Sequence, residues 1–287
     1  MTVKTVRFYV NDRKPRAGAV AAELSEFAAG IGLAVVEDAA ADVVLVLGGD
    51  GTMLRAVHEF PDVPVLGLNL GGLGYLASVG EDDFRRALEM LRGGEFKVAV
   101  RSALTVRKVS RDGAVGDGAA AAALNDVVVM REMSGHAAIL DLSVDAKRPT
   151  RYLADGIVVA TPTGSTAYSL SAGGPVLMPD SGSFVVTPMN PHALGVRPLV
   201  VGDGAVLTVT SRSRSDGEAA KIGVYADGEN AFMLEDGEVL EISKSPNGVA
   251  MVELDGYDPY EVLARKLGWS GSCVPGGTPE RRDSDED

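Results

Sequence analysis

Cysteine is almost missing: Cys273 stands alone in 287 residues. No disulfide can close within the chain, and such usage fits a reducing compartment. Aromatic residues make up only 5%, so the core has to be aliphatic and rich in alanine. No apolar run reaches the roughly 18 residues that a membrane helix needs, and Met1-Thr2-Val3-Lys4 opens no signal-peptide pattern. The expectation is a cytoplasmic protein with no membrane partner. Basic residues are scarce too: 27 Lys and Arg face 40 Asp and Glu, a formal net charge of −13. That balance excludes an electrostatic grip on nucleic acid or on anionic membranes. It suits a halophilic, high-salt cytoplasm, and it suits an ordinary acidic protein equally. No G-x-x-x-x-G-K-[ST] loop occurs, and no His-Arg-Asp or Asp-Phe-Gly set. His58, His136 and His192 are isolated and lack metal-ligand spacing.

What is present is organised around Gly48-Gly49-Asp50-Gly51-Thr52. An apolar run over 43–47 precedes it, and a helical pattern over 53–60 follows. Strand, glycine turn and helix together place backbone N–H groups and a helix N-terminus around a phosphate. Glycine lets the turn take positive φ and lets a ligand approach the backbone. Thr52 reads as a helix cap. Asp50 is the odd member, because a carboxylate in an anion-binding loop repels the anion unless it holds a metal or accepts a proton. The plain alternative is a tight turn with a surface Asp.

Strands at 3–10, 33–36, 43–47 and 63–68 alternate with helices at 15–30, 53–60 and 81–91. That alternation predicts an α/β domain with a parallel, helix-covered sheet, whose ligands lie beyond the carboxyl ends of the strands. A second glycine loop, 67–76, leaves a strand at the same end. After Gly93-Gly94 the pattern turns to short strands, at 96–109, 127–130, 139–144, 157–160, 184–186, 205–210, 221–226, 239–242 and 249–254. The domains read as 1–94, α/β and Rossmann-like, and 95–257, mostly β. A helix near 258–267 is expected to pack back on the first domain, and 276–287 reads as a disordered acidic tail.

Three further stretches carry chemistry. Asn125-Asp126 can bind sugar hydroxyls, since both side chains accept and the amide also donates; taken alone, a turn before a strand explains it better. Residues 155–175 run from an acidic turn at Asp155 through a strand into a loop dense in hydroxyls, where neutral hydrogen bonds to a ribose or a base can form. Tyr168 can stack on a ring there, and so can Tyr75 in the second glycine loop. Residues 72–77 match G-x-G-x-x-A, but the loop belongs to the fourth strand and helical character starts late, so a dinucleotide fingerprint is not read here.

Taken together and in order, these stretches resemble the NAD kinase family. The match covers the first glycine loop, the second with Tyr75 at its aromatic position, Asn125-Asp126 where the family has Asn-Glu, and the 155–175 stretch. Weaker marks follow at 191–198 and at Asp227-Gly228. The resemblance implies phosphorylation of the adenosine ribose 2′-hydroxyl of NAD to give NADP. ATP or polyphosphate would be the donor, with Mg²⁺ or another divalent metal. It implies Asp50 as catalytic residue and tentative metal contact. Gly48, Gly49, Gly51 and Thr52 would form the phosphate-donor loop, with Arg55 as a further phosphate contact. NAD would meet Asp50, Gly51, Tyr75, Asn125, Asp126, Asp155, Thr163, Thr166, Ala167, Tyr168 and Ser171. Asp155 is expected at the nicotinamide end of a neighbouring subunit's site, which implies a homodimer or homotetramer. A lipid or sugar kinase of the same fold, or a dinucleotide sensor without turnover, is the alternative.

Overall fold

The computed structural model describes the chain apart from residues 1, 12–13, 38–40, 73, 110–114, 133–135, 214–220 and 270–287. The acidic tail at 276–287 lies outside the described residues. Two compact units form: Met1–Ala99 with Ala250–Asp287, and Val100–Val249.

The first unit opens with β1 (Thr5–Val10), α1 (Pro15–Gly30), β2 (Ala34–Val35), β3 (Val43–Gly48), α2 (Asp50–Glu59), β4 (Val65–Asn69), α3 (Phe84–Gly93) and β5 (Phe96–Arg101). Pro15 begins α1, where a missing N–H costs nothing, and Gly32 at φ 83° stops the chain just beyond it. All six residues of β3 are buried. A parallel strand covered by helices on both faces needs such an unbroken apolar run. Phe84, Leu88 and Leu91 of α3 pack with Leu24 of α1 and with Val6, Val43, Leu45 and Leu47 of the sheet.

The second unit holds β6 (Leu104–Val109), β7 (Val115–Ala123), β8 (Asp126–Arg131), β9 (Ala138–Val144), β10 (Thr150–Ala154), β11 (Gly156–Ala160) and the short α4 (Tyr168–Ser171). Then come β12 (Ser183–Met189), β13 (Leu199–Gly202), β14 (Leu207–Arg212), β15 (Ile222–Ala226), β16 (Glu229–Leu234) and β17 (Val239–Lys244). The chain returns to the first unit with β18 (Val249–Leu254) and α5 (Pro259–Leu267).

The sheet of the first unit runs β2-β1-β3-β4-β18-β5, with β1, β2, β3, β4 and β18 parallel where paired. Residues 249–254, expected among the strands of the β-rich half, thus hydrogen-bond beside β4 instead. The second unit is two six-stranded sheets, β10-β9-β14-β17-β6-β7 and β13-β12-β11-β8-β15-β16. Their facing sides share one core around Leu140, Ile157, Phe184 and Leu240. The other face of the second sheet is covered as well: Val128, Val158, Ala160 and Val185 pack with Ala172 and Leu177. Burial on both faces is why β8 and β11 read as continuous apolar runs.

Other boundaries move. The strand expected over 96–109 is two, broken at Ser102-Ala103. The alanines leading to Ala123 lie in β7, and β10, β13 and β16 join the sheets without having been anticipated.

Candidate active site

Helix α2 starts at Asp50, three residues earlier than its apolar pattern suggests, with Gly49 as N-cap in an extended conformation. Thr52 is therefore not the cap. It lies inside the first turn, buried, and its Oγ1 accepts from Asn11 Nδ2 at 3.1 Å. Gly48 must lack a side chain, because a Cβ there would collide with Thr52.

Asp50 points to the second glycine loop. One carboxylate oxygen accepts from Tyr75 N at 3.0 Å, and the other from Leu76 N at 3.0 Å and Ala77 N at 3.1 Å. A Cβ on Gly74 would strike the same carboxylate. The two glycine loops are thus one construction, and Asp50 is its joint. Asn69 ties the far side: its amide donates to Gly72 O at 2.6 Å and its Oδ1 accepts from Gly71 N at 3.0 Å. Tyr75 is half-buried, and burial, then the Asp50 charge, raises its phenol above the ordinary value. Arg55 is exposed on α2.

The second unit repeats the device. Asp227 and Gly228 form a two-residue hairpin turn between β15 and β16, at φ 50° and 82°, the geometry that Asp-Gly favours. The Asp227 carboxylate accepts from Leu124 N at 2.8 Å, Asn125 N at 2.7 Å and Asp126 N at 3.3 Å. Asp126 is buried, and burial, then the Asp227 charge, pushes its pKa up from 3.8 to about 7. Beyond β11, Thr161 N donates to Asn125 O at 2.9 Å, and Thr161 Oγ1 donates to Leu124 O at 2.6 Å. A Cβ on Gly164 would collide with Asn125 O. Asn125-Asp126 and the hydroxyl loop therefore meet.

Several loop hydroxyls serve the loop itself. Ser165 Oγ donates to Pro162 O at 2.6 Å and accepts from Leu177 N at 2.9 Å. Ser169 and Thr187 share a buried hydrogen bond at 2.8 Å, and Thr166 Oγ1 donates to Thr163 O at 3.0 Å. Thr163 and Ala167 are half-buried, Ser171 is exposed, and Tyr168 is 42% exposed.

Residues 10–96 match the ATP-NAD kinase N-terminal domain, and 124–254 match the ATP-NAD kinase C-terminal domain. The chain belongs to the NAD kinase family. A NAD kinase of Symbiobacterium thermophilum is 40% identical over 228 residues, covering 79% of this chain and 78% of that one. One of Syntrophotalea carbinolica is 38% identical over 230 residues, with 79% and 78% covered. Among solved structures, a yeast NADH kinase complexed with NADH shares the fold at TM-score 0.82 and 23% identity, covering 96% of this chain and 90% of that one. An Archaeoglobus fulgidus NAD kinase in complex with ATP shares it at TM-score 0.70 and 24% identity, covering 92% and 96%.

Asp155 lies at the other end of β11 from the hydroxyl loop. It precedes β11 while the hydroxyl loop follows it, so five strand residues separate them, roughly 16 Å at the rise of a β-strand. Asp155 accepts from Arg131 Nε at 2.7 Å and Asn190 Nδ2 at 2.9 Å, and those bonds, Asn190 first, lower its pKa. Arg197, exposed, donates to Leu194 O and Val196 O of its own turn. Asp227 is the member that the residue pattern undervalued: Asp-Gly signalled the hairpin, but nothing in the pattern signals a carboxylate reaching three amides a hundred positions away. Among the described residues no group of three or more His, Cys, Asp and Glu could hold a metal, and no helix is long and apolar enough to cross a membrane.

Proposed function

We propose that this chain transfers the terminal phosphoryl group of ATP to the adenosine ribose 2′-hydroxyl of NAD. The observation that carries the reading is the Asp50 carboxylate, held by three amides at the start of α2. A carboxylate offers about four acceptor positions, which leaves room for one substrate hydroxyl. A ribose hydroxyl has to lose its proton as it attacks phosphorus, and Asp50 receives it. Such positioned general-base catalysis is typically worth about 10²–10⁴-fold.

In this reading Gly48, Gly49, Gly51 and Thr52 shape the loop whose N–H groups meet the donor phosphates, with Arg55 as a further phosphate contact. Asn125 and Asp126 take ribose hydroxyls, Asp126 replacing the family's Glu with one methylene less. Gly51, Tyr75, Thr163, Thr166, Ala167, Tyr168 and Ser171 would be further contacts of the dinucleotide. The first 94 residues carry the donor loop, and 95–257 carry most of the NAD contacts. A lone carboxylate beside phosphates suits Mg²⁺ carried by the donor rather than a protein cage; the one open position on Asp50 would take either the substrate hydroxyl or that ion, which when bound would neutralise phosphoryl charge. We also infer a cytoplasmic homo-oligomer, with Asp155 completing a neighbouring copy's site, and adaptation to high salt. Polyphosphate is the second donor to try.

The test is NADP formation from NAD, ATP and Mg²⁺ by wild type and Asp50→Asn. Wild-type turnover with a drop of at least about a hundredfold in the variant is expected. Equal turnover in both would remove Asp50 from the chemistry. Binding of NAD without turnover on either donor would favour the sensor.

A further inference from the structure

We propose that Lys266, on the closing helix α5, is a positioning residue for the Tyr75 ring. The inference rests on the reading that Tyr75 meets NAD. The backbone of Tyr75 is fixed by its N–H bond to Asp50, but that bond leaves the ring free to turn about its two side-chain torsions. Lys266 Nζ lies 5.3 Å from the ring centroid, inside the roughly 6 Å at which an ammonium is drawn to an aromatic face.

Lys266 is held where it is by the helix that carries it. Asp258 caps α5 by accepting from Tyr260 N at 2.8 Å, Pro259 occupies the first turn, and Gly268 at φ 67° ends it. Val262 and Leu263 are buried and seat the helix on the first unit. The nearest acid on the helix, Glu261, pairs with Arg265 at 3.7 Å, and no ion pair engages Lys266 among the described residues. The residue is exposed, and its ammonium lies over the ring. With a cation over one face, a flat heteroaromatic ligand is offered the opposite face. The chain thereby brings a side chain from α5, the last helix among the described residues, to a loop some 190 positions earlier, one that Asp50 already joins to the donor loop.

The experiment uses the full chain with Lys266→Met, which keeps length and removes charge, Lys266→Arg, Tyr75→Ala, and the Lys266→Met/Tyr75→Ala double variant. Steady-state KM for NAD, KM for ATP and kcat are measured for each. Lys266→Met should raise KM for NAD about two- to fivefold, the worth of an exposed cation–π contact. The loss should appear in that constant rather than in kcat or in KM for ATP. Lys266→Arg should restore it, and in the Tyr75→Ala background Lys266→Met should add nothing. An undiminished effect in that background, or a rise in KM for ATP instead, overturns the coupling. If Tyr75→Ala raises KM for NAD while Lys266→Met is silent, the coupling alone fails. If Tyr75→Ala leaves KM for NAD unchanged, the assignment of Tyr75 to the pocket fails and takes the coupling with it.

Discussion

Asp126 keeps 5% of its surface in water and has a pKa near 7 in the folded chain against 3.8 when unperturbed. The raised value belongs to the folded state, so between about pH 4 and pH 7 the unfolded chain releases a proton that the folded chain keeps. Stability is therefore lost as pH rises through that window and the loss is complete above it. At about 1.4 kcal/mol per unit the cost is bounded at a few kcal/mol. Asp126→Asn should melt close to wild type at pH 4 and above it at pH 8, and a difference independent of pH would contradict the assignment. Asp155 moves the other way because Asn190 and Arg131 bond to its charged form. As a ligand, a carboxyl near half-protonation at neutral pH can donate as well as accept. Asp126→Ala should raise KM for NAD more than about tenfold, since a buried polar contact to substrate is lost.

The elements explain what residue spacing could and could not foretell. Residues 48–52 and 155–175 were legible because glycines and hydroxyls cluster after apolar strands, and β3 and β11 were legible because burial on both faces writes an unbroken apolar run. The β7 alanines carried no such mark: alanine is the best helix former, and only pairing with β6, Leu104 opposite Ala123 through Arg107 opposite Ala120, makes them a strand. Thr52 looked like a cap because its type fits one, yet the helix reaches back to Asp50 and draws Thr52 inside. Asp227 and Lys266 were invisible in their roles, since a contact between distant positions leaves no period. The joint at Gly164 gives an element-scale prediction. Gly164→Ala would press a Cβ into Asn125 O, forcing the hydroxyl loop from the β8 entrance. Overpacking of this kind costs roughly 1–3 kcal/mol, so the variant should unfold at lower urea concentration and bind NAD more weakly together. Unchanged values of both would mean the loop yields freely.

At the scale of the molecule, the alternation of strands and helices was sufficient for the α/β start and the mostly-β second half, while the return of β18 to the first sheet was not legible. Residues 249–254 look like any half-buried strand, and only the pairing of Met251 with Val65 tells where they go. The net charge of −13 also acts at this scale, through self-repulsion that salt screens within about 3 Å at molar strength. Melting temperature and turnover should both climb from low to molar KCl, and a maximum of both at low salt would remove the proposed adaptation. The Asp50 joint has a consequence for motion. The amides of Tyr75, Leu76 and Ala77 belong to no helix or strand ladder, yet all three donate to one carboxylate. In deuterated buffer they should exchange as slowly as amides of regular structure. In Asp50→Asn, where a neutral amide carbonyl replaces the anion, they should be among the first to take up label, so the residue proposed to move a proton during turnover would also govern how fast three protons leave the backbone at rest.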